Sequence, residues 1–277
     1  MGFSFTKMHG LGNDFVLLDE RSTSFGLGSE QIVKIADRRF GIGCDQVLIL
    51  EPSSLPETLG GYRIFNADGS TAEHCGNGAR CVARYLRDVG EVEGDSLSLE
   101  IRGVAYELQI INDESVRVDM GRPSFAPKDI PIAVDNQQDC YEIAFDGQVC
   151  AFGCVSIGNP HATTLVDDAG AAPVLRIGSA LQRHRFFPDK VNVGFMQLID
   201  RAWVKLRVYE RGVGETLACG TGACAAMAIG VLWDRLDHVV DVELAGGTLR
   251  IEWAGSPSDS LWMTGPAESV FEGIIDL

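Results

Sequence analysis

Two cysteines in this sequence have surroundings that predict chemistry. Each follows a strand-like segment and a turn, and each directly precedes a glycine-containing run of residues that predicts a helix. The first is Cys75 and the second is Cys219, which lies 144 positions later. A thiol at a helix N-terminus faces backbone N–H groups and the positive end of the helix dipole, which favour its thiolate form. Two such thiols predict proton transfer, with one sulfur as the base and the other as the acid.

The similarity between the two cysteine regions extends along much of the chain. Matched positions recur in the same order at an offset of 144 or 146 residues, which predicts two versions of one structural unit. We therefore expect two domains, residues 1–121 and 122–265, with the tail 266–277 returning to the first domain. The matched pairs are Gly12-Asn13 with Gly158-Asn159, Gln46 with Asn192, Gly103 with Gly247, and Gly121 with Gly265.

The two predicted cysteine helices differ in polarity. The second helix carries no charged residue from Ala223 to Trp233, so we expect it to be buried in a core. It lacks basic flanks and follows a segment rich in glycine and threonine, which argues against a membrane span. The first helix should have a wetter face, because it contains three arginines. These are Arg80, Arg84 and Arg87.

Composition narrows the class of protein. The chain has 277 residues, 45% of them hydrophobic, and a formal net charge of −16. That charge argues against a nucleic-acid surface, which needs clustered Lys and Arg. Eight cysteines in a chain of this length do not indicate a small disulfide scaffold, and the sequence shows no recognisable signal peptide. We expect reduced thiols and a cytoplasmic protein.

The segment pattern predicts a mixed α/β fold of the α+β kind. Short alternating runs predict strands on both sides of each cysteine helix, so each domain is expected to form a mostly antiparallel, barrel-like sheet around a central helix. Two further helices are predicted, one from Ser29 to about Arg39 and one from Ser179 to about His184.

The pair of predicted helix N-termini suggests a reaction as well as a site. Backbone N–H groups at both termini would bind a carboxylate and stabilise negative charge that develops beside it. Two sulfurs flanking the carbon attached to that carboxylate would invert its configuration. This chemistry requires no metal, pyridoxal or nicotinamide cofactor, and its partner is a small molecule.

Several motifs in the chain carry a more specific resemblance. They are Met8-His9-Gly10-Leu11-Gly12-Asn13-Asp14-Phe15, Gly41-Ile42-Gly43-Cys44-Asp45-Gln46, Phe65-Asn66-Ala67-Asp68-Gly69-Ser70, Cys75-Gly76-Asn77-Gly78-Ala79-Arg80-Cys81, Gly158-Asn159-Pro160-His161, Tyr209-Glu210-Arg211-Gly212-Val213-Gly214-Glu215-Thr216 and Ala218-Cys219-Gly220-Thr221-Gly222. In this order they closely resemble the diaminopimelate epimerase family. The resemblance runs from Met8 to the C-terminus.

The resemblance implies the interconversion of LL- and meso-2,6-diaminopimelate, in lysine and peptidoglycan precursor synthesis, by two pseudo-symmetric domains without a cofactor. It implies that Cys75 and Cys219 are the two acid–base residues, and that His161 and Glu210 tune their thiols. Family members form homodimers through the tail, where the usual Tyr is Phe271 here. The substrate-binding residues implied are Asn13, Gln46, Asn66, Gly76, Asn77, Asn159, Asn192, Glu210, Arg211, Gly220 and Thr221.

Two other interpretations are compatible with a pair of cysteines. A proline racemase-like enzyme shares the two-thiol logic, but Glu210-Arg211 and the set of asparagines suit a longer substrate with a charged amino acid group at each end. A non-catalytic redox or metal-binding protein would use Cys75 and Cys219 structurally. The cysteine spacings are not those of zinc sites, so no metal is expected.

Overall fold

The fold is described from a computed structural model, in which residues 2–72, 75–145 and 147–276 are described. The chain divides into two compact units, one formed by Met1–Asp119 with Thr264–Leu277 and the other by Met120–Met263. The domain boundaries drawn from the sequence stay a prediction, because compactness by itself does not test whether each unit folds alone.

The first unit contains both N-terminal and C-terminal strands. Its strands are β1 (Gly2–Gly10), β2 (Asn13–Asp19), β3 (Gln46–Glu51), β4 (Gly61–Asn66), β5 (Ser96–Ile101), β6 (Val104–Ile110), β7 (Ser115–Asp119) and β17 (Glu268–Asp276), and its helices are α1 (Ser29–Ala36) and α2 (Gly76–Asp88). The strands pair in the order β17-β1-β2-β3-β4-β5-β6-β7. The pairs β2/β3 and β4/β5 are parallel and the others are antiparallel.

The second unit repeats this arrangement. Its elements are β8 (Tyr141–Phe145), β9 (Gln148–Ser156), β10 (Pro160–Leu165), α3 (Val174–Leu181), β11 (Asn192–Leu198), β12 (Trp203–Glu210), β13 (Gly214–Thr216), α4 (Gly220–Leu232), β14 (Val239–Leu244) and β15 (Gly247–Glu252), while β16 (Trp262–Pro266) includes the residues at which the chain returns to the first unit. The strand order is β8-β9-β10-β11-β12-β14-β15, with parallel pairs β10/β11 and β12/β14. The tail strand β17 thus holds the place in the first unit that β8 holds in the second. The predicted mixed α/β fold is confirmed.

Each unit packs its long helix into its core. Every residue of α4 from Gly220 to Gly230 is buried except Thr221, because the helix is apolar on all sides. Burying one large aliphatic side chain contributes roughly 1.5–3 kcal/mol, so this helix is held by packing rather than by surface charge. No helix in the described ranges has the length and apolarity needed to cross a membrane.

The helix α3 begins and ends earlier than the sequence predicts. It was expected from Ser179 to about His184, but it spans Val174–Leu181. The sequence hides its start because the helix has Pro173 at its N-cap, no polar capping side chain, and a glycine inside it. That glycine, Gly178, packs so closely on Tyr209 that an added Cβ would lie 2.3 Å from the ring carbon Cγ. Tertiary contact therefore explains a residue that weakens the helix pattern.

The helix α1 also ends before the predicted limit at Arg39. It stops at Ala36, because Asp37 turns to extended backbone with ψ 123°. The Asp37 carboxylate then accepts hydrogen bonds from the backbone N–H groups of Arg39 and Phe40, at 2.7 and 2.8 Å. Hydrogen bonds of this kind favour a turn over a further helical turn.

Candidate active site

The two cysteines occupy the same local position in the two units. Cys75 is the N-cap of α2 with φ −123° and ψ 109°, and Cys219 is the N-cap of α4 with φ −125° and ψ 103°. Both helices have 13 residues. The first N–H groups of a helix have no carbonyl partner within it, so a helix N-terminus such as the one after each cysteine can bind an anion such as a carboxylate.

A glycine in the first turn leaves room for the second sulfur. A Cβ on Gly222 would lie 3.1 Å from Sγ of Cys219 and 3.0 Å from Cγ2 of Val208. Both distances are at the lower limit of real contacts, so a larger residue here would displace the thiol or the strand behind it. The glycine-rich sequence after Cys219 therefore serves packing around the sulfur as well as backbone access.

Side-chain amides surround the first cysteine. Sγ of Cys75 lies 3.8 Å from Oδ1 of Asn13, and Nδ2 of Asn77 donates to the same oxygen at 3.2 Å. Asn77 is buried and Cys75 is half-buried. Asn13 reaches this place because it begins strand β2, next to the turn at which β1 ends.

A network of ion pairs fixes the turn that carries Asn13. The Asp14 carboxylate accepts from Nζ of Lys7 at 2.5 Å and from Nη2 of Arg38 at 2.7 Å. It also accepts from the backbone N–H of Asp45 at 2.9 Å. These cations and hydrogen bonds outweigh burial and hold the Asp14 pKa well below its usual range. The turn is therefore held rigidly against the loop before β3.

Gln46 and Asn66 lie opposite each other on neighbouring strands of the first unit. They are register partners on the antiparallel pair β3/β4, and Nε2 of Gln46 donates to Oδ1 of Asn66 at 3.0 Å. Nδ2 of Asn66 donates to Oγ of Ser70 at 3.1 Å. The structure thus joins two of the predicted binding residues, and it adds Ser70 as a side chain that orients one of them.

The second cysteine has a different polar environment. Sγ of Cys219 lies 3.7 Å from Oγ1 of Thr221, and Nδ2 of Asn159 donates to that hydroxyl oxygen at 3.4 Å. The other end of the Asn159 amide, Oδ1, is 2.9 Å from Nε2 of His161. Cys219 and His161 are both buried, with only 4% and 1% of their surface exposed.

Asn192, Glu210 and Arg211 are also brought together. Oδ1 of Asn192 accepts from the backbone N–H of Arg211 at 2.8 Å, and its Nδ2 donates to the carbonyl oxygen of Pro160 at 3.0 Å. Glu210 accepts a hydrogen bond from the hydroxyl of Thr216. Asn192 thereby ties the loop after β12 to the start of β10.

The pKa of the Cys219 thiol is raised well above its ordinary value. Burial is the main cause and the negative charge of Glu210 is the next, while hydrogen bonds from Thr221 and from the backbone N–H of Gly222 act in the opposite direction. The expectation that the helix N-terminus favours the thiolate is therefore outweighed at Cys219 by desolvation.

His161 is a second buried group of this cluster with a shifted pKa. Burial, and then the positive charge of Arg211, lower its pKa to about 3. The ring is neutral at physiological pH. Since Nε2 faces the oxygen of the Asn159 amide, we assign its hydrogen to Nε2.

Two features near Cys75 differ from the sequence prediction or go beyond it. The arginines of α2 were expected to form a wetter face, but Arg80 is fully buried. Asp45 was not predicted as a site residue, and its carboxylate accepts from Nδ2 of Asn13 at 3.2 Å. Both residues lie inside motifs identified in the sequence. Their residue types alone do not reveal whether their side chains face the site.

Phe271 lies on strand β17 of the first unit. Its ring packs edge-on against Phe5 with centroids 5.9 Å apart, and about half of the residue is exposed. The neighbouring exposed hydrophobic residues on this strand are Val270 and Ile274.

Comparison with known proteins identifies the family. The model of the family described as diaminopimelate epimerase matches residues 5–126 and 153–270. A diaminopimelate epimerase of Alkalilimnicola ehrlichii is 51% identical over 279 residues, and one of Thioalkalivibrio sulfidiphilus is 48% identical over 278 residues. Each comparison covers 100% of both chains.

The fold is found in more distant proteins as well. The crystal structure of a hydroxyproline epimerase from Agrobacterium vitis has a TM-score of 0.72 and 16% identity, covering 99% of this chain and 92% of that one. That likeness concerns the fold alone. The full-length sequence identity and the family match carry the conclusion that the chain belongs to the diaminopimelate epimerase family of isomerases.

Proposed function

We propose that this protein interconverts LL- and meso-2,6-diaminopimelate by a two-cysteine mechanism. The observation that carries the mechanism is the matched placement of Cys75 and Cys219 at the N-caps of equivalent helices. The identity of about half of all residues to diaminopimelate epimerases over the full chain supports the substrate.

The proposed step moves two protons and no other group. The thiolate of one cysteine removes the α-proton, and the electron pair of the broken C–H bond is delocalised into the adjacent carboxylate. The thiol of the other cysteine donates its proton to the opposite face of the carbon. Configuration inverts, and the two sulfurs exchange protonation states. The atoms balance without an oxidant, a metal or an organic cofactor.

The helix N-termini stabilise the charge that builds during this step. Backbone N–H groups of Gly76 and Asn77, and of Gly220 and Thr221, are the proposed donors to the carboxylate at the reacting carbon. Donors fixed in advance stabilise such charge more than water does, because they need not reorganise.

The remaining predicted residues are proposed to hold the substrate and select its length. Asn13 and Gln46 line the pocket near the reacting carbon. The distant amino acid group, which keeps its L configuration, carries an ammonium and a carboxylate, so a carboxylate and a guanidinium side by side suit it. The residues proposed to bind this group are Asn66, Asn159, Asn192, Glu210 and Arg211.

Deuterium exchange tests the function directly. LL-diaminopimelate incubated with the reduced protein in D2O should gain solvent deuterium at one α-carbon as the meso isomer forms, followed by NMR. The same incubation with L-proline should show no exchange. Exchange of proline but not of diaminopimelate would reject the proposed substrate, and no exchange of either would reject the epimerase.

We also propose that the protein is a cytoplasmic homodimer. Both thiols must remain reduced for turnover, which suits a reducing compartment. The exposed apolar side chains Val270, Phe271 and Ile274 on β17 supply a surface that a second copy would cover. Sedimentation should give twice the chain mass, and Phe271→Asp should shift the protein toward the monomer. A wild-type monomer at micromolar concentration would contradict this proposal.

A further inference from the structure

A fully buried guanidinium lies one helical turn from the first cysteine. Arg80 has no exposed surface although it lies on α2 only five residues after Cys75. Its Nη2 donates to Oδ1 of Asn77 at 2.9 Å, and its Nε donates to the carbonyl oxygen of Pro266 at 3.1 Å. Burying a guanidinium costs free energy, so a buried arginine is expected to have a structural or functional role.

The hydrogen bonds of Arg80 begin a directed chain of amides. Because a guanidinium can only donate, the Asn77 oxygen must face it, and the Asn77 nitrogen must face away. That nitrogen donates to Oδ1 of Asn13 at 3.2 Å. Nδ2 of Asn13 donates in turn to the carboxylate of Asp45 at 3.2 Å. A cation at one end and an anion at the other thus fix the orientation of both amides.

The orientation of Asn13 decides what faces the thiol. Its Oδ1, 3.8 Å from Sγ of Cys75, accepts from the S–H group. A hydrogen bond to the neutral form of an acid favours that form, so this contact stabilises the thiol over the thiolate. If the amide were rotated by half a turn, its N–H group would face the sulfur and favour the thiolate instead.

Among the residues described, the second unit has no equivalent of this chain of hydrogen bonds. The position that matches Arg80, at the offset of 144, is the buried Cys224. The amide of Asn159, which corresponds to Asn13, donates to Thr221, whereas Asn13 accepts from Asn77. The direction of the hydrogen bond beside the sulfur is therefore reversed between the units.

We propose that Arg80 is a positioning residue for Cys75, which orients the Asn77 and Asn13 amides so that an oxygen faces the thiol. Its effect on catalysis rests on the proposed function, whereas its effect on the thiol does not. Tyr62 on β4 and Cys81 on α2 are ionisable groups whose charges interact with Cys75.

Site-resolved alkylation tests this role without relying on activity. Wild type, Arg80→Gln and the control Arg84→Gln are treated with iodoacetamide across a pH series, and modification of Cys75 and Cys219 is quantified separately by mass spectrometry. Arg84 is a matched control, because it lies on the same helix but pairs with Asp88 at 2.8 Å. Cys219 in each sample serves as an internal reference.

We expect Arg80→Gln to raise the Cys75 alkylation rate at neutral pH by about three- to tenfold, the effect of one neutral hydrogen bond. The Cys75 midpoint should move to lower pH while that of Cys219 stays unchanged, and Arg84→Gln should match wild type at both. In the exchange assay, kcat should fall about tenfold in Arg80→Gln with a smaller change in KM, because the defect lies in acid–base geometry. Arg80→Lys should recover part of both effects.

A second variant keeps the proposal falsifiable if Arg80→Gln does not fold. Asp45→Ala removes the carboxylate at the far end of the hydrogen-bond chain, at a residue whose side chain is 45% exposed. It should shift the Cys75 alkylation profile in the same direction. An unchanged Cys75 profile in folded Arg80→Gln, or in Asp45→Ala where Arg80→Gln does not fold, would overturn the proposal. A shifted profile in a protein without diaminopimelate exchange would reject the proposed function and leave the positioning role intact.

Discussion

The two cysteine helices share a backbone and differ in nearly everything that surrounds it. Their N-caps agree within 6° in φ and ψ, and both helices run for 13 residues. Yet α2 carries a buried arginine and a half-buried cysteine, whereas α4 is apolar throughout and its cysteine is buried. A duplicated scaffold has therefore kept the position of the sulfur and changed the hydrogen bonds that reach it.

The same divergence appears at matched strand positions. Phe15 in β2 and His161 in β10 are the register partners of Gln46 and Asn192 in the two parallel pairs. Asn66 ends β4 at the position where Glu210 ends β12. At both positions, a neutral residue in the first unit corresponds to an ionisable residue in the second. This teaches that the repeat preserves backbone geometry, while individual side chains differ between the units. In the proposed mechanism, such differences would distinguish the acid from the base.

The strongest test of the comparison removes each sulfur in turn. Cys75→Ala and Cys219→Ala should each lower epimerisation by at least about 10²–10⁴-fold, the usual contribution of a positioned acid or base. The measurement is conversion of LL to meso isomer by NMR or chiral chromatography. Cys140→Ala, at an exposed cysteine, is the control and should leave turnover unchanged. Near-normal turnover in either single variant would show that the two helices are not functionally equivalent.

Removing the charge of Glu210, at the end of β12, should have a smaller effect on turnover. Glu210→Gln should lower the pKa of the Cys219 thiol, because the Glu210 charge is second only to burial in raising it. We expect faster alkylation of Cys219 at pH 8 and a ten- to hundredfold loss of kcat/KM, about the value of a charged hydrogen bond.

The converse variant in the first unit sharpens this test. Asn66→Asp places a carboxylate at the matched position, so it should slow alkylation of Cys75 and leave Cys219 unaffected. If Glu210→Gln changed Cys75 rather than Cys219, the assignment of Glu210 to the second thiol would be wrong.

The last test concerns stability rather than catalysis. The folded-state pKa of His161, about 3, lies below its unfolded value of 6.5, so the neutral ring stabilises the fold at and above pH 6.5. That stability is lost as pH falls from 6.5 toward 3, at up to about 1.4 kcal/mol per pH unit.

Denaturant unfolding of wild type and His161→Gln across pH measures this contribution. Between pH 6.5 and 4.5 the wild type should lose about 2–3 kcal/mol more free energy of unfolding than the variant. Carboxylates titrate in both proteins and cancel in the difference. Parallel curves would mean that the buried ring does not distinguish the units in this way.

Much of the fold could be predicted because its signals are local. The cysteine motifs and turn glycines recur at an offset of 144 or 146 residues, α4 is an apolar run, and the long strands alternate, so element type and order followed from the sequence. The helix α3 was misplaced because Pro173 and Gly178 hide it, and Gly178 is explained only by its contact with Tyr209. The burial of Arg80 was also missed, because an arginine on a helix is usually exposed and only the tertiary structure shows that this one is not.

The sequence by itself determined the family, the mixed α/β fold and the equivalent positions of Cys75 and Cys219 in the two repeats, because repeated motifs and glycine-dependent turns depend on residue types and spacing. Only the tertiary structure decided which polar groups contact the two sulfurs and the burial that raises the pKa of Cys219. Those properties depend on which atoms meet in space and on how much water is excluded, and neither is encoded in any local pattern.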